Sequence, residues 1–181
     1  MTYLSGLEDF IASWDDRFVE TSDRDIVRES SQGNINTEGT SACFDSPTFT
    51  KYHRRFKKSL EPGVRDLAIA LILKFDCITY SSCQGHPSTA DADLRQRYVA
   101  ILPRNEADYR RLYNILDSLA KLTNSLLPDN PVRVVLGEDR LESEALVMPG
   151  LTLFFVAATA DEDLYFREIE VVYNKVLELI G

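Results

Sequence analysis

The sequence predicts an α+β fold, with a mainly antiparallel sheet of about four strands covered by helices and an N-terminal helical arm. Three observations lead there. Periodic and short β-type segments succeed one another as helix, helix, helix, strand, strand, helix, strand, strand, helix. Within each strand pair the two candidates are joined by polar residues rather than by a crossover helix. The chain has 181 residues, 44% hydrophobic and 27% charged, enough to bury about two-thirds of its unfolded surface around one core. Residues 1–48 read as a helix and polar arm and residues 49–181 as the α+β body, together one compact domain. A helix-strand-strand unit occurs twice, without sequence identity between the copies.

The elements follow in order. Leu4, Leu7, Phe10, Ile11, Trp14 and Phe18 recur at helical spacing and predict an amphipathic helix over residues 3–20. Residues 21–46 turn to Ser, Asn, Gly, Thr and Asp and read as a long surface loop or arm. Such a length is functional, mobile or folded against a partner. Ser46 and Pro47 suit a helix start, and the helix they open would carry Phe49, Tyr52, Phe56 and Leu60 on one side until Pro62-Gly63 makes a turn. Leu67, Ala68, Leu71 and Ile72 place a buried helix over residues 64–75, completing a helical hairpin. Strands are expected over residues 77–82 and 97–103, separated by a polar loop with Gly85 and Pro87. The stripe Tyr109, Leu112, Ile115, Leu116, Leu119 and Leu122 marks a helix over 105–126, stopped by Pro128 and Pro131. Residues 132–136 and 151–157 read as two further strands joined by an acidic connection holding Glu138, Asp139, Glu142 and Glu144. A final helix over 162–180 presents Tyr165, Phe166, Ile169, Val172, Tyr173, Val176 and Leu177 to the core.

Charge narrows the function classes. Twenty Lys plus Arg face 29 Asp plus Glu, a net charge of −9, which argues against nucleic-acid binding through overall charge. The longest apolar run, residues 67–73, is far too short to span a bilayer, and the N-terminus lacks signal-peptide character, so a cytoplasmic protein without membrane contact is expected. Cys43, Cys77 and Cys83 form no CxxC pair, so neither a disulfide framework nor a four-cysteine zinc site is indicated. Cys43 and Cys77 read as structural.

The segment richest in chemistry is Ile78-Thr79-Tyr80-Ser81-Ser82-Cys83-Gln84-Gly85-His86-Pro87. A strand ends there in hydroxyls, a thiol, a glycine and an imidazole. Gly85 permits positive φ or close approach of a ligand. Cys83 and His86 are three apart and can meet across a turn, where the imidazole would lower the thiol pKa and favour a nucleophilic thiolate. They can equally serve as two ligands of a metal ion, but they supply only half of a tetrahedral shell, so no metal site is assigned from the sequence. The structural alternative is a buried thiol beside a polar turn histidine. The candidate catalytic residues are Cys83, His86 and Ser82, with Ser81 and Gly85 against the substrate.

The run from a buried helix into Thr79 and then Ser81-Ser82-Cys83-x-Gly85 resembles the signature of the tRNA wybutosine-synthesising methyltransferase family (TYW-three-like), in which a strand runs into Ser-Ser-Cys-Ser-Gly-Arg. It is also similar to bacterial and phage proteins of unknown function that carry Ser-Cys-x-Gly-His after such a helix and strand. The resemblance covers about 25 residues and departs from the signature at Gln84 and His86. It implies methylation of a tRNA base with S-adenosylmethionine as cofactor and Ser82, Cys83 and Gly85 near the site.

A second feature is the basic stretch Lys51-Tyr52-His53-Arg54-Arg55-Phe56-Lys57-Lys58. Residues 1–48 carry ten acids and three bases, whereas residues 49–65 carry six bases and one acid. On a helix, Arg54 with Lys58 and Lys51 with Arg55 would form adjoining cationic rows suited to phosphate. The other readings are a solvated face or one neutralised by the acidic arm. Asp91, Asp93 and the acidic connection read as solvated loop residues, and no P-loop, dinucleotide fingerprint, HExxH or GxSxG occurs.

The leading expectation is an enzyme or ligand-binding protein with a Cys/His strand-end site, acting on a phosphate-bearing substrate (a nucleotide or RNA) held by Lys51, Arg54, Arg55 and Lys58. The alternative is a non-enzymatic acidic interaction protein, an immunity or regulatory factor, covering a basic protein partner.

Overall fold

Proline and left-handed geometry set the ends of the first long helix. The computed structural model describes residues 2–3, 7–18, 49–143 and 146–181; the elements are β1 (Thr2–Tyr3), α1 (Leu7–Ser13), α2 (Phe56–Ser59), α3 (Pro62–Phe75), β2 (Ile78–Cys83), β3 (Arg97–Leu102), α4 (Glu106–Leu126), β4 (Val132–Glu142), β5 (Val147–Ala157) and α5 (Glu162–Ile180). In α3, Pro62 occupies the first helical position, where its missing N–H costs nothing. Asp76 closes the helix at φ +47, its N–H bonded to Ile72 O. Asn105 caps α4 through Asp108 N at 3.0 Å, and Asp161 caps α5 through Leu164 N at 2.9 Å.

The fold is α+β. Strands pair in the order β1-β4-β5-β3-β2, with β4-β5, β5-β3 and β3-β2 antiparallel and the short β1 parallel to β4. Register assigns the faces. Arg97, Val99 and Ile101 of β3 pair with Phe155, Leu153 and Leu151 of β5 and look toward α5, whose Tyr165 hydroxyl donates to Phe155 O at 2.8 Å. α3, α4 and α5 all pack against the sheet, with α5 touching the other two. Tyr165, Ile169, Val172 and Val176 are buried along it, as the sequence periodicity requires. On β4, Asn124 of α4 both donates to Val134 O (2.8 Å) and accepts from Val134 N (2.9 Å), occupying backbone groups that β5 does not use.

α1 crosses one end of the sheet. Glu8 bonds to Ser143 after β4, while Asp15 pairs with Arg104 after β3 (3.1 Å) and with Lys51. Leu7, Phe10 and Trp14 are fully buried, and Trp14 meets Phe10 and Phe56 edge to face at 5.5 and 5.9 Å.

Four expectations need correction. The first helix spans Leu7–Ser13 rather than residues 3–20, and Phe18 lies beyond it, exposed. Residues 49–55 are not helical; only Phe56–Ser59 forms a turn of helix. His53 is the reason: its Nδ1 takes the amide of Arg55 at 3.1 Å and its ring stacks on Phe49 at 4.4 Å, a local arrangement that competes with helical hydrogen bonding. Pro62-Gly63 begins α3 instead of forming a turn before it. β4 and β5 form an 11-residue ladder, from Val132↔Ala157 to Glu142↔Val147, so Glu138, Asp139 and Glu142 lie in a strand. Glu138 is used by α4, whose Tyr109 hydroxyl donates to it; that bond is the main cause pushing the phenol up to about 12. The polar arm with Cys43, the start at Ser46-Pro47, Leu4 and Glu144 lie outside the described residues.

Candidate functional site

The candidate site lies at the far end of β2 from the Asp15 cluster. β2 is the sheet edge opposite β1, and all six of its residues are buried. A register irregularity between Thr79 and Ser81 sets the facing of its last residues. Ser82 pairs with Val99 and looks toward the helices, whereas Ser81 and Cys83, paired with Ala100 and Tyr98, look to the opposite face. The Ser81 and Tyr98 hydroxyls share a hydrogen bond of 3.0 Å. Burial pushes the Tyr98 phenol up, with the Ser81 bond opposing. Ser82 Oγ is buried without a hydrogen-bond partner among the described residues, so the structure separates Ser82 from the Cys83 side of the strand.

Past Cys83 the chain turns at Gly85, whose φ is +88. A Cβ there would stand 3.2 Å from Arg95 O and 3.3 Å from Arg97 N, so both conformation and space select glycine. The turn aims Gly85 N–H at Cys83 Sγ (3.4 Å). Beyond it, His86 and Arg95 exchange two backbone hydrogen bonds of 2.9 Å each, which brings their side chains alongside each other as a cross-strand pair.

The residue that completes the cluster is Glu61, the N-cap of α3. Its Oε1 lies 3.1 Å from His86 Nε2, and its Oε2 accepts Gln84 N–H at 2.7 Å. Gln84 reciprocates across the same junction: its Oε1 accepts Gly63 N–H, one of the free amides of the first turn of α3, at 3.2 Å. Beneath the turn, Arg97 donates Nε to Gln84 O (2.9 Å) and Nη2 to Glu170 (2.6 Å), and its guanidinium lies 4.9 Å from the Tyr173 ring centroid. Tyr165 OH accepts Arg97 N–H at 3.0 Å. The turn is thus held by three elements, α3, β3 and α5.

The chemistry differs from a thiolate-imidazolium pair. Cys83 is 1% exposed, and burial pushes its thiol up; the Gly85 N–H bond and the charges of Arg95 and Arg97 oppose that, while Glu61 adds to it. His86 is engaged by Glu61 instead of activating the thiol. The structure therefore corrects the expectation of a depressed Cys83 pKa: the thiol is neutral, and the carboxylate-imidazole pair is the polar, partly open part of the cluster. Glu61, Cys83 and His86 each offer one donor atom, all within 4.8 Å of one another, and are the described residues close enough to hold a metal ion together. Cys77 is buried in the core, and burial pushes its thiol up to about 12, as a structural cysteine requires.

The basic stretch does not join this site. Lys51 bonds to Asp15, lies 3.9 Å from Asp76 at the C-terminal end of α3, and sits over the Trp14 and Tyr52 rings. Glu61 is at the other end of that 14-residue helix, about 20 Å away. Arg54, Arg55 and Lys58 are exposed on turns and on the short α2, so the two cationic rows expected from helical spacing do not form. The cation beside His86 is Arg95.

Compared with protein-family models, with curated proteins and with solved structures, the chain matches none. The functional reading rests on the residues themselves. Glu61 and Arg95 carried no sequence signal linking them to Cys83 and His86; the only cue was Glu61 directly before the Pro62 that starts a helix.

Proposed function

We propose that this protein is an enzyme or ligand-binding protein whose site is the end of β2, taking a phosphate-bearing substrate, a nucleotide or RNA. One observation carries the reading: the Glu61 carboxylate, delivered by the N-terminus of α3, hydrogen-bonds the partly exposed His86 imidazole next to Cys83. A carboxylate fixes the tautomer and orientation of an imidazole, which is what an acid/base group needs. His86 is then the proton-handling group, Glu61 its positioning residue, and Arg95 the contact for the anionic group in place of Lys51, Arg54, Arg55 and Lys58. Cys83 is buried and supports the site from within the strand rather than as a free thiolate nucleophile. The resemblance of Ser81-Ser82-Cys83-x-Gly85 to the wybutosine-synthesising methyltransferases supplies a specific form of the reaction, methyl transfer from S-adenosylmethionine to a tRNA base, and makes tRNA and that cofactor the first probes.

Calorimetric titration of the wild type, His86→Ala and Arg95→Ala with nucleoside monophosphates, bulk tRNA and S-adenosylmethionine tests the proposal. At least one anionic probe is expected to bind the wild type and to bind each variant about tenfold more weakly, the loss of one charge-assisted hydrogen bond, with melting temperatures nearly unchanged. Failure of every probe to bind, or equal binding by both variants, would refute it.

A further inference from the structure

Three chemically different donors converge at the β2 turn, each oriented by the backbone. Cys83 Sγ, a ring nitrogen of His86 and a Glu61 carboxylate oxygen lie within 4.8 Å of one another, and His86 Nε2 is already 3.1 Å from Glu61 Oε1. A tetrahedral ion with bonds of about 2.0–2.3 Å needs donors about 3.3–3.7 Å apart, so the widest separation has to close by only about 1 Å. Rotation of the Glu61 and His86 side chains can provide that without moving the sheet. The backbone prepares the same point. Gly85 N–H is directed at the sulfur, Gln84 N–H holds the second carboxylate oxygen at 2.7 Å, and the two His86 to Arg95 backbone bonds fix the chain that carries the imidazole. Outer contacts of this kind orient metal ligands and tune their affinity. Gly85 at φ +88 is what lets residues 83 and 86 address one point.

We propose that Glu61, Cys83 and His86 form a binding site for one divalent cation of the zinc class, with a fourth coordination position open to solvent or substrate. The donor set selects the ion. A thiolate with an imidazole and a single carboxylate suits Zn²⁺ or Co²⁺, whereas Mg²⁺ and Ca²⁺ require oxygen shells. Charge favours the same answer, since thiolate, carboxylate, neutral imidazole and a divalent cation sum to zero beside the buried Arg97. On binding, the thiol proton leaves to solvent, one ring nitrogen of His86 gives its lone pair to the metal, and the imidazole proton resides on the other ring nitrogen. Three protein ligands and one open position are the arrangement of catalytic rather than structural zinc sites. The partly exposed His86 and the neighbouring Arg95 put that open position where an anionic substrate group can reach it.

The inference rests on reading the β2 end as the functional site, and its test is separate from that of the reading. The full chain, stripped by chelator in a phosphine reductant, is titrated with Zn²⁺ alone by calorimetry and with Co²⁺ alone by absorbance. One equivalent of Zn²⁺ is expected, with a Co²⁺ adduct that shows thiolate-to-cobalt charge transfer and tetrahedral d–d bands and is displaced by Zn²⁺ but not by Mg²⁺. Glu61→Gln and His86→Gln should each weaken Zn²⁺ by more than the roughly 10–100-fold typical of an outer-shell partner. Cys83→Ser should abolish the charge-transfer band, and Cys43→Ser should keep it. No binding, binding unchanged in the Glu61 and His86 variants, or a band that follows Cys43 would overturn the metal site. If the anionic probes still bind through His86 and Arg95, only the metal site falls; if they also fail, the reading of the β2 end falls with it.

Discussion

Replacing Gly85 by alanine perturbs the one backbone position on which the whole β2 turn depends. At φ +88 an L-residue costs about 1–2 kcal/mol relative to glycine. The new methyl would lie 3.2 Å from Arg95 O and 3.3 Å from Arg97 N, backbone atoms that cannot swing aside; crowding a methyl into packed structure costs about 1–3 kcal/mol. Alanine also stiffens the unfolded chain, which offsets about 0.4–1 kcal/mol. The net expectation is a destabilisation of about 1–4.5 kcal/mol, read as a lower urea midpoint at unchanged slope and as a fall in melting temperature of about 2–18 °C for a chain of this size. The assay is paired urea and thermal unfolding of wild type and variant. Relief of the strain by shifting the turn would move the Gly85 N–H away from Cys83 Sγ and His86 away from Glu61, so site binding should weaken even where the variant is fully folded. A loss below about 0.5 kcal/mol, the size of an ordinary surface substitution, would refute the reasoning, because it would mean that residue 85 does not hold a positive φ against β3.

Two further outcomes follow from the same packing. Tyr165→Phe removes a fully buried hydroxyl that donates to Phe155 O and accepts Arg97 N–H; leaving those backbone groups unsatisfied should cost about 1–3 kcal/mol in urea unfolding, and an unchanged midpoint would show that α5 does not tie β3 to β5 in this way. The Asp15 carboxyl is held below its ordinary value chiefly by its hydrogen bond to Lys51, which outweighs the opposing effect of burial, with Arg104 adding a smaller lowering effect. Because the folded-state pKa is depressed, its contribution to stability is present above the unfolded value near about 4 and is lost as pH falls through the folded value. Asp15→Asn should therefore be modestly less stable than the wild type at neutral pH, with the difference shrinking below about pH 4; a constant difference across that range would remove the ion pairs as its cause.

Much of the fold was legible because it is local. Leu67, Leu71, Leu112, Leu116, Ile169 and Val176 announce their helices by spacing, and each is fully buried. Asn105 and Asp161 stand at the starts of α4 and α5, where short polar side chains satisfy free amides. The basic stretch misled for an equally local reason: Lys51, Arg54, Arg55 and Lys58 have helical spacing, but His53 diverts the Arg55 amide, and Lys51 is recruited by Asp15 and Asp76 from other parts of the chain. The length of the β4-β5 ladder was underestimated because Glu138, Asp139 and Glu142 look like loop residues until Tyr109 of α4 supplies a partner for Glu138.

The candidate site divides the same way. Sequence alone determined the order and type of the main elements, the α+β class, and the turn Cys83-Gln84-Gly85-His86, since all of these follow from hydrophobic periodicity and from what glycine and proline allow within a few residues. Only the tertiary structure decided what the turn can do. Glu61 lies 25 positions before His86 and reaches it because α3 packs along β2; Arg97 locks the turn because β3 pairs with β2 and α5 supplies Glu170 and Tyr173. The neutrality of the Cys83 thiol likewise follows from its burial, and burial depends on every layer of the fold rather than on the residues next to it in the chain.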